Sequence, residues 1–457
     1  MQGGREGVNV LYVTPYVPSR IRTRPYNLIR ALIRLGHRVT LLTAAGTSAE
    51  EQEQAEELRG WGMQVEVFPV PLVRSLGNCL RALPTREPLQ AVYAYHPGME
   101  RQLSGLLRTS ASSVESEEAF DVVHIEHLRA ARLVRAVTGA PPRSGRAGGG
   151  RIPLRSGGGG GGTPVVYDSV DCISLLFEQA ARIGVQLRSR LMTAVDLART
   201  RRYEAQLLTR YDRVVVTSRR DKDALERLAR RYLPPEVQPV PITVVTNGVD
   251  LEYFRPPETR FFRKNLVSSP PTVVFTGKMS YHANVAAVLY FAREVLPRIW
   301  ASAPGVRFQI VGKDPPETVR QLAADGRIQV TGTVDDLRPY LAQATVAVCP
   351  ALYAVGVQNK VLEAMAMGTP VVSTPAGCAA LVEGESQGVL IAEGEEELAA
   401  AALQVLSDPT LAERLAAAGR RYVEAHHSWE TGARRLVRVY EQARSEAGTR
   451  KVQRGEG

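Results

Sequence analysis

Cysteine is scarce in this chain of 457 residues: Cys79, Cys172, Cys349 and Cys378 stand far apart, with no CxxC pair. That spacing argues against a disulfide framework and against a zinc site, and the thiols read as reduced and buried. Long apolar runs are missing too. None approaches the roughly 18 residues needed to cross a bilayer. The opening MQGGREGVNVLYVTPYVPSR holds too short an apolar stretch, broken by prolines, for a secretory leader. A cytoplasmic protein is the expectation, with peripheral contact at the inner face of the membrane left open. Acidic residues are outnumbered, giving a formal net charge of +10. A basic balance favours anionic partners: nucleic acid, phosphorylated small molecules or an anionic lipid face. No zinc-finger or RNP signature accompanies the arginines, so a nucleic-acid binder would rest on charge alone. No GxGxxG follows the first strand candidate, which argues against a dinucleotide-dependent dehydrogenase.

What is present is alternation. NVLYVTP, RVTLLTA, QVEVFPV, DVVHIEH, PVVYDSV, RVVVTS and ITVVTN read as strands separated by amphipathic helical stretches. TVVFTG, RFQIVG, IQVTG, VAVCP, PVVST and GVLIA repeat the scheme in the second half. Such runs predict parallel sheets covered on both faces. The fold class expected is therefore α/β, with two doubly wound Rossmann-like domains in tandem. Asn247-Gly248, followed by Pro256-Pro257, marks the join. It divides residues 1–246 from residues 247–427. A Gly-rich insert, about 141–163, interrupts the first domain as a low-complexity loop, and residues 428–446 form a closing amphipathic helix. Doubly wound sheets bind ligands beyond the carboxyl ends of their strands, so a cleft between two such domains is the expected site.

One stretch, VQNKVLEAMAMGTPVVSTPAG (357–377), carries the densest chemistry. A helix is expected to begin near Asn359, where unpaired amides and a partial positive charge suit a phosphate. Lys360 adds a full charge there, and Gly356 permits close backbone approach. Glu363 can accept hydrogen bonds from a vicinal diol such as a ribose; alternatively it serves the early helix through the macrodipole alone. VVFTGKMSYHANVAAVLYF repeats the pattern, with Gly277 and Lys278 at a strand end and a helix expected near Asn284. Gly312 ends another strand, and Gly332 with Thr333 ends a third, close to where a base would lie. Asp335 and Asp336 read as a helix cap before metal ligands.

Taken in order, TNGVD, FTGKMS, VGKDP, VTGTVDDL and NKVLEAMAMGTPVVSTPAG resemble the family-four glycosyltransferases of GT-B fold. The resemblance runs from about Asn9 to Tyr440. It implies retaining transfer of a sugar from a nucleotide donor, UDP- or GDP-linked, to a glycan or lipid-linked acceptor, as in cell-surface polysaccharide assembly. The closing helix would cross back to the first domain. Donor contacts fall by resemblance on Gly277, Lys278, Gly312, Gly332, Thr333, Val355, Gly356, Val357, Asn359, Lys360, Val361 and Glu363. Glu126 and His127 align with a family segment that reaches the reacting sugar, and with Lys278 they form the catalytic set. Arg22, Arg24, Asp168 and Asp171 are assigned to the acceptor side, Arg20 lying in the same loop. Two departures stand out. Val355 replaces the first of the family's two glutamates, and Lys278 with Ala283 replaces its usual Arg and Lys, a loss of charge that Lys360 would restore. No metal or other cofactor is expected, since fixed cations and a helix end can hold the leaving diphosphate. Two alternatives stay open: a nucleotide-sugar epimerase or hydrolase on this fold, and a nucleotide-sugar-binding protein without catalysis.

Overall fold

The computed structural model describes residues 7–46, 48–112, 119–138, 163–182, 187–257, 270–353, 358–379, 381 and 388–453. The Gly-rich stretch 139–162 and the loop residues Val355, Gly356 and Val357 lie outside them. The contacts gather into two compact units, one made of residues before Thr246 together with the chain from Gly432, the other of Thr246–Thr431.

Seven parallel strands form the sheet of the first unit. They are β1 (Asn9–Thr14), β2 (Arg38–Ala45), β3 (Gln64–Pro69), β4 (Val122–Glu126), β5 (Val165–Val170), β6 (Arg213–Val216) and β7 (Ile242–Val244), in the order β3-β2-β1-β4-β5-β6-β7. The β-branched runs fit because both sheet faces are covered: every residue of β1 and β4 is buried. Chain order reverses between β1 and β4, so their carboxyl ends diverge and leave a crevice. Helix Thr23–Arg34 buries Leu28, Ile29 and Leu32, and ends where Gly36 turns the chain at φ 85°. The closing helix, Trp429–Gln453, starts on a Ser428 cap and is tied to this sheet by side chains. Tyr440 joins His124 at 2.9 Å, Arg444 pairs with Asp121 at 3.0 Å, and Arg213 pairs with Glu446.

The second unit repeats the design with six strands: β8 (Thr272–Thr276), β9 (Arg307–Val311), β10 (Ile328–Gly332), β11 (Val346–Cys349), β12 (Val371–Ser373) and β13 (Val389–Ile391). All pairs are parallel, in the order β10-β9-β8-β11-β12-β13, and the reversal falls between β8 and β11. Both sheets are thus of the doubly wound kind that the strand pattern predicts. No helix among the described residues is long and apolar enough to cross a membrane.

Candidate functional site

In the second unit the strand ends of β8, β9 and β10 are drawn together by backbone alone. Gly277 N donates to Val311 O at 3.0 Å, and Gly312 N donates to Gly332 O at 3.2 Å. Gly277 and Gly312 lie at φ 155° and 154°. A Cβ on Gly312 would fall 1.9 Å from the Gly277 carbonyl oxygen, so these glycines let two strand ends touch. Gly332 turns at φ 72°, and Thr333 after it is exposed.

Across the crevice, β11 leads to the helix Asn359–Ala366. Its first turn carries Asn359 and Lys360, both half-buried, and a buried Val361. Lys360 Nζ donates to Asn284 Oδ1 at 2.8 Å and lies 5.0 Å from the centre of the Phe275 ring. Asn284 Nδ2 donates in turn to the Lys278 carbonyl at 2.8 Å. One asparagine thus ties the loop after β8 to the helix after β11, over the point where the sheet reverses. The helix bearing Asn284 begins at His282, two residues earlier than expected, with Tyr281 at its cap position. The cap position itself holds a tyrosine that makes no side-chain cap bond, and Asn284, in the first turn, serves the crevice. Beside it, His282 Nδ1 meets the Tyr353 hydroxyl at 2.5 Å, with the rings stacked at 5.6 Å.

Two charged groups here have little holding them. Lys278 is half exposed and, among the described residues, reaches only the half-exposed Asp314, at 3.9 Å, a contact worth little. Glu363 is half-buried, and no hydrogen bond or ion pair holds its carboxylate among the described residues. Burial pushes its pKa up to about 7, against the pull of Lys360 one turn earlier.

The strand ends of the first unit are arranged otherwise. Glu126 closes β4 fully buried, with the hydroxyls of Tyr12 and Tyr16 at 2.6 and 3.1 Å from its two oxygens. Burial first, and Asp168 second, raise its pKa. Asp168, fully buried on β5, accepts from Arg24 Nε and Nη2 at 2.9 and 2.7 Å. The Arg24 guanidinium, 4% exposed, also donates to the Val245 carbonyl at 3.0 Å. The acceptor-side assignment of Arg24 and Asp168 therefore meets a closed ion pair, not an open surface. The two neutralise each other because neither charge could be buried alone. Arg22 is half exposed, 3.3 Å from Glu51 and over the Tyr16 ring at 4.7 Å, while Arg20 is exposed. Asp171, half-buried, accepts from Thr217 at 3.3 Å, and burial beside Asp221 raises its pKa. His127 is the open member of the Glu126–His127 pair. It is half-buried at φ 70°, its Nδ1 accepts from the Arg129 amide at 3.2 Å, and its Nε2 has no hydrogen-bond partner among the described residues. Burial and Arg129 lower its pKa to about 3, so the ring stays neutral.

His124, Glu126 and Asp168 present ligand atoms within 4.8 Å of one another, and His124 Nε2 is buried without a hydrogen bond. Their other partners oppose a cation. Arg24 already neutralises Asp168, and both oxygens of Glu126 already accept from tyrosine hydroxyls. The expectation of a chain without an Asp-x-Asp triplet is wrong: Asp221-Lys222-Asp223 is one. Asp221 there is structural, paired with Ser218 and accepting from the Cys172 amide at 3.0 Å. Tyr12, Tyr16 and Asn284 were missed as well, and nothing in their local sequence marks them.

Residues 21–248 match the family model described as a glycosyl transferase 4-like domain, and residues 270–408 match that of the glycosyl transferases group 1. A MMP alpha-(1->4)-mannosyltransferase of Mycolicibacterium hassiacum is 31% identical over 45% of this chain and 50% of its own length. A lipopolysaccharide core biosynthesis mannosyltransferase of Rhizobium leguminosarum bv. viciae is 28% identical over 59% of this chain and 74% of its own. A glycogen synthase of Mycobacterium tuberculosis is 30% identical over 44% and 48%. The chain thus spans about half the length of the first and third of these relatives. In fold, it is similar to HepE of Anabaena, solved in complex with UDP, at a TM-score of 0.58 with 14% identity, covering 95% of this chain and all of that one. A sucrose-phosphate synthase of Thermosynechococcus elongatus gives 0.59 with 18% identity, over 95% and 98%.

Proposed function

We propose that this chain, which belongs to the group 1 glycosyl transferases with a 4-like N-terminal domain, moves a sugar from a nucleoside-diphosphate donor to a glycan or lipid-linked acceptor. The observation that carries the reading is the state of Glu363: a half-buried carboxylate with no hydrogen-bond or ion-pair partner among the described residues, beside a lysine that is held in place. An acceptor-only group in that condition suits the vicinal diol of a ribose. Lys360, Lys278 and the amides opening helix Asn359–Ala366 then face the diphosphate. As the sugar–phosphate bond breaks, negative charge grows on the leaving diphosphate, and fixed cations stabilise it without reorganising. The reading needs no metal. Retention of configuration follows from the family resemblance, the leaving phosphate taking the acceptor's proton. By the family resemblance alone, a hydrogen bond to the reacting sugar falls to His127, whose ring is neutral. Val355, by resemblance the missing acidic contact, leaves the donor sugar to be identified by assay, and the relatives' names put mannose and glucose donors first to try.

The test is calorimetric titration with UDP, GDP and ADP, followed by transfer assays with the matching sugars in EDTA. One nucleotide should bind, and Lys360→Ala should weaken it about 10- to 100-fold, the size of a charge-assisted hydrogen bond. Binding equal in wild type and Lys360→Ala, or turnover abolished by EDTA, would overturn the assignment. Donor hydrolysis with no glycoside formed would favour the hydrolase alternative.

A further inference from the structure

The helix Leu72–Ala82 is seated on the first unit with its oily side outward. Leu72, Val73, Leu76, Leu80 and Leu83 are 63%, 81%, 53%, 66% and 51% exposed. At about 100° per residue the five fall within one sector roughly 100° wide. The opposite side is anchored. Ser75 and Ala82 are buried, and Asn78 Nδ2 donates to the Tyr95 carbonyl at 2.9 Å. The outward face is therefore a built feature of a fixed helix.

Its charges are of one sign. Pro71–Arg86 contains Arg74, Arg81 and Arg86, all exposed, and neither Asp nor Glu. Arg74 and Arg81 lie side by side on one flank of the apolar sector. Arg199 donates to the Leu83 carbonyl at 2.8 Å and adds a fourth cation at the helix end. A helix with an apolar face bordered by arginines lies in the plane of a membrane, apolar side down and cations among the phosphates.

We propose that this face docks the protein on an anionic lipid bilayer. Charge complementarity selects that partner over a second copy of the chain. Isologous pairing through the leucines would crowd the arginines of both copies along one interface, with no acid in the segment to offset them. The proposal stands whether or not the chain transfers sugars, because it rests on exposed leucines and arginines far in sequence from Lys278 and Glu363.

Flotation of the full-length protein with vesicles tests it. Phosphatidylglycerol–phosphatidylethanolamine vesicles should carry the protein, and pure phosphatidylcholine vesicles should not. Leu76→Glu with Leu80→Glu should cut the bound fraction about tenfold or more. Arg74→Glu with Arg81→Glu should do the same at low salt, each arginine near the surface contributing several-fold. Both pairs sit on the exposed face, and circular dichroism should show unchanged melting. The idea is overturned if wild type does not float with anionic vesicles, or if both pairs float like wild type. It is also overturned if light scattering shows a dimer that Leu76→Glu with Leu80→Glu converts to monomer, since the leucines would then face another copy.

Discussion

Both units place polar side chains at the carboxyl ends of their strands, beside the point where the sheet reverses, yet they use them in opposite ways. In the first unit the groups answer one another: Glu126 with Tyr12 and Tyr16, Asp168 with Arg24, His124 with Tyr440. In the second, among the described residues, Lys278 has only an exposed pair with Asp314, and no hydrogen bond or ion pair holds Glu363. A buried network whose members bond one another is rigid, and opening it costs free energy. A carboxylate left without a partner is a standing cost that a ligand can relieve. Doubly wound folds admit both arrangements, so the side-chain census at the reversal point, not the fold, distinguishes scaffold from binding site.

The contrast breaks most visibly at Arg24. Arg24→Ala strands the buried Asp168 charge and should lower unfolding free energy by about 3–5 kcal/mol in urea titrations. Adding Asp168→Asn should restore part of that loss. A cost below about 1 kcal/mol would mean that the pair is wetter than its burial implies.

That pair was not legible in the sequence, whereas the strands were. Thirteen β-branched runs are thirteen strands, because burial on both faces writes itself into each run locally. Arg24 and Asp168 are 144 positions apart, and Tyr16 and Glu126 are 110 apart. Each looks like a solvated or ligand-facing group until the fold brings its partner. Lys278 and Glu363 stand out in the sequence for the converse reason: their neighbours in sequence, Gly277 and Lys360, are also their neighbours in space. The helix start at His282 escaped notice because its cap is a tyrosine, which has no capping propensity.

At the second unit, Lys278→Ala should raise the donor's dissociation constant about 10- to 100-fold. It should leave melting temperature nearly untouched, since the Asp314 contact is exposed. Isothermal titration and calorimetric scans separate the two. A large stability loss would show that Lys278 is part of the scaffold after all.

Glu363 sharpens the comparison through pH. Unfolded, it ionises near 4.5; folded, near 7. The folded state therefore holds the proton more tightly, and its stability declines as pH rises from about 4.5 to about 7. Donor binding should run the other way, strengthening as the carboxylate ionises and can accept from the ribose diol. Glu363→Gln should flatten both trends and stabilise the protein by about 1–2 kcal/mol at pH 8, a value reduced for solvent screening. Parallel trends in stability and affinity would contradict the assignment.

The smallest effect is the most discriminating one for the first unit. Tyr16 is half-buried and contributes the longer of the two contacts to Glu126, at 3.1 Å. Tyr16→Phe should therefore cost only about 0.5–1.5 kcal/mol, and less than Tyr12→Phe, whose 2.6 Å contact is fully buried. If Glu126 is scaffold, Tyr16→Phe lowers stability slightly and leaves kcat alone. If kcat falls tenfold or so while stability holds, about 1.4 kcal/mol of transition-state stabilisation has been lost. Glu126 would then act on the substrate through a hydroxyl that the resting structure keeps half in reach of solvent, and the first unit could no longer be read as closed.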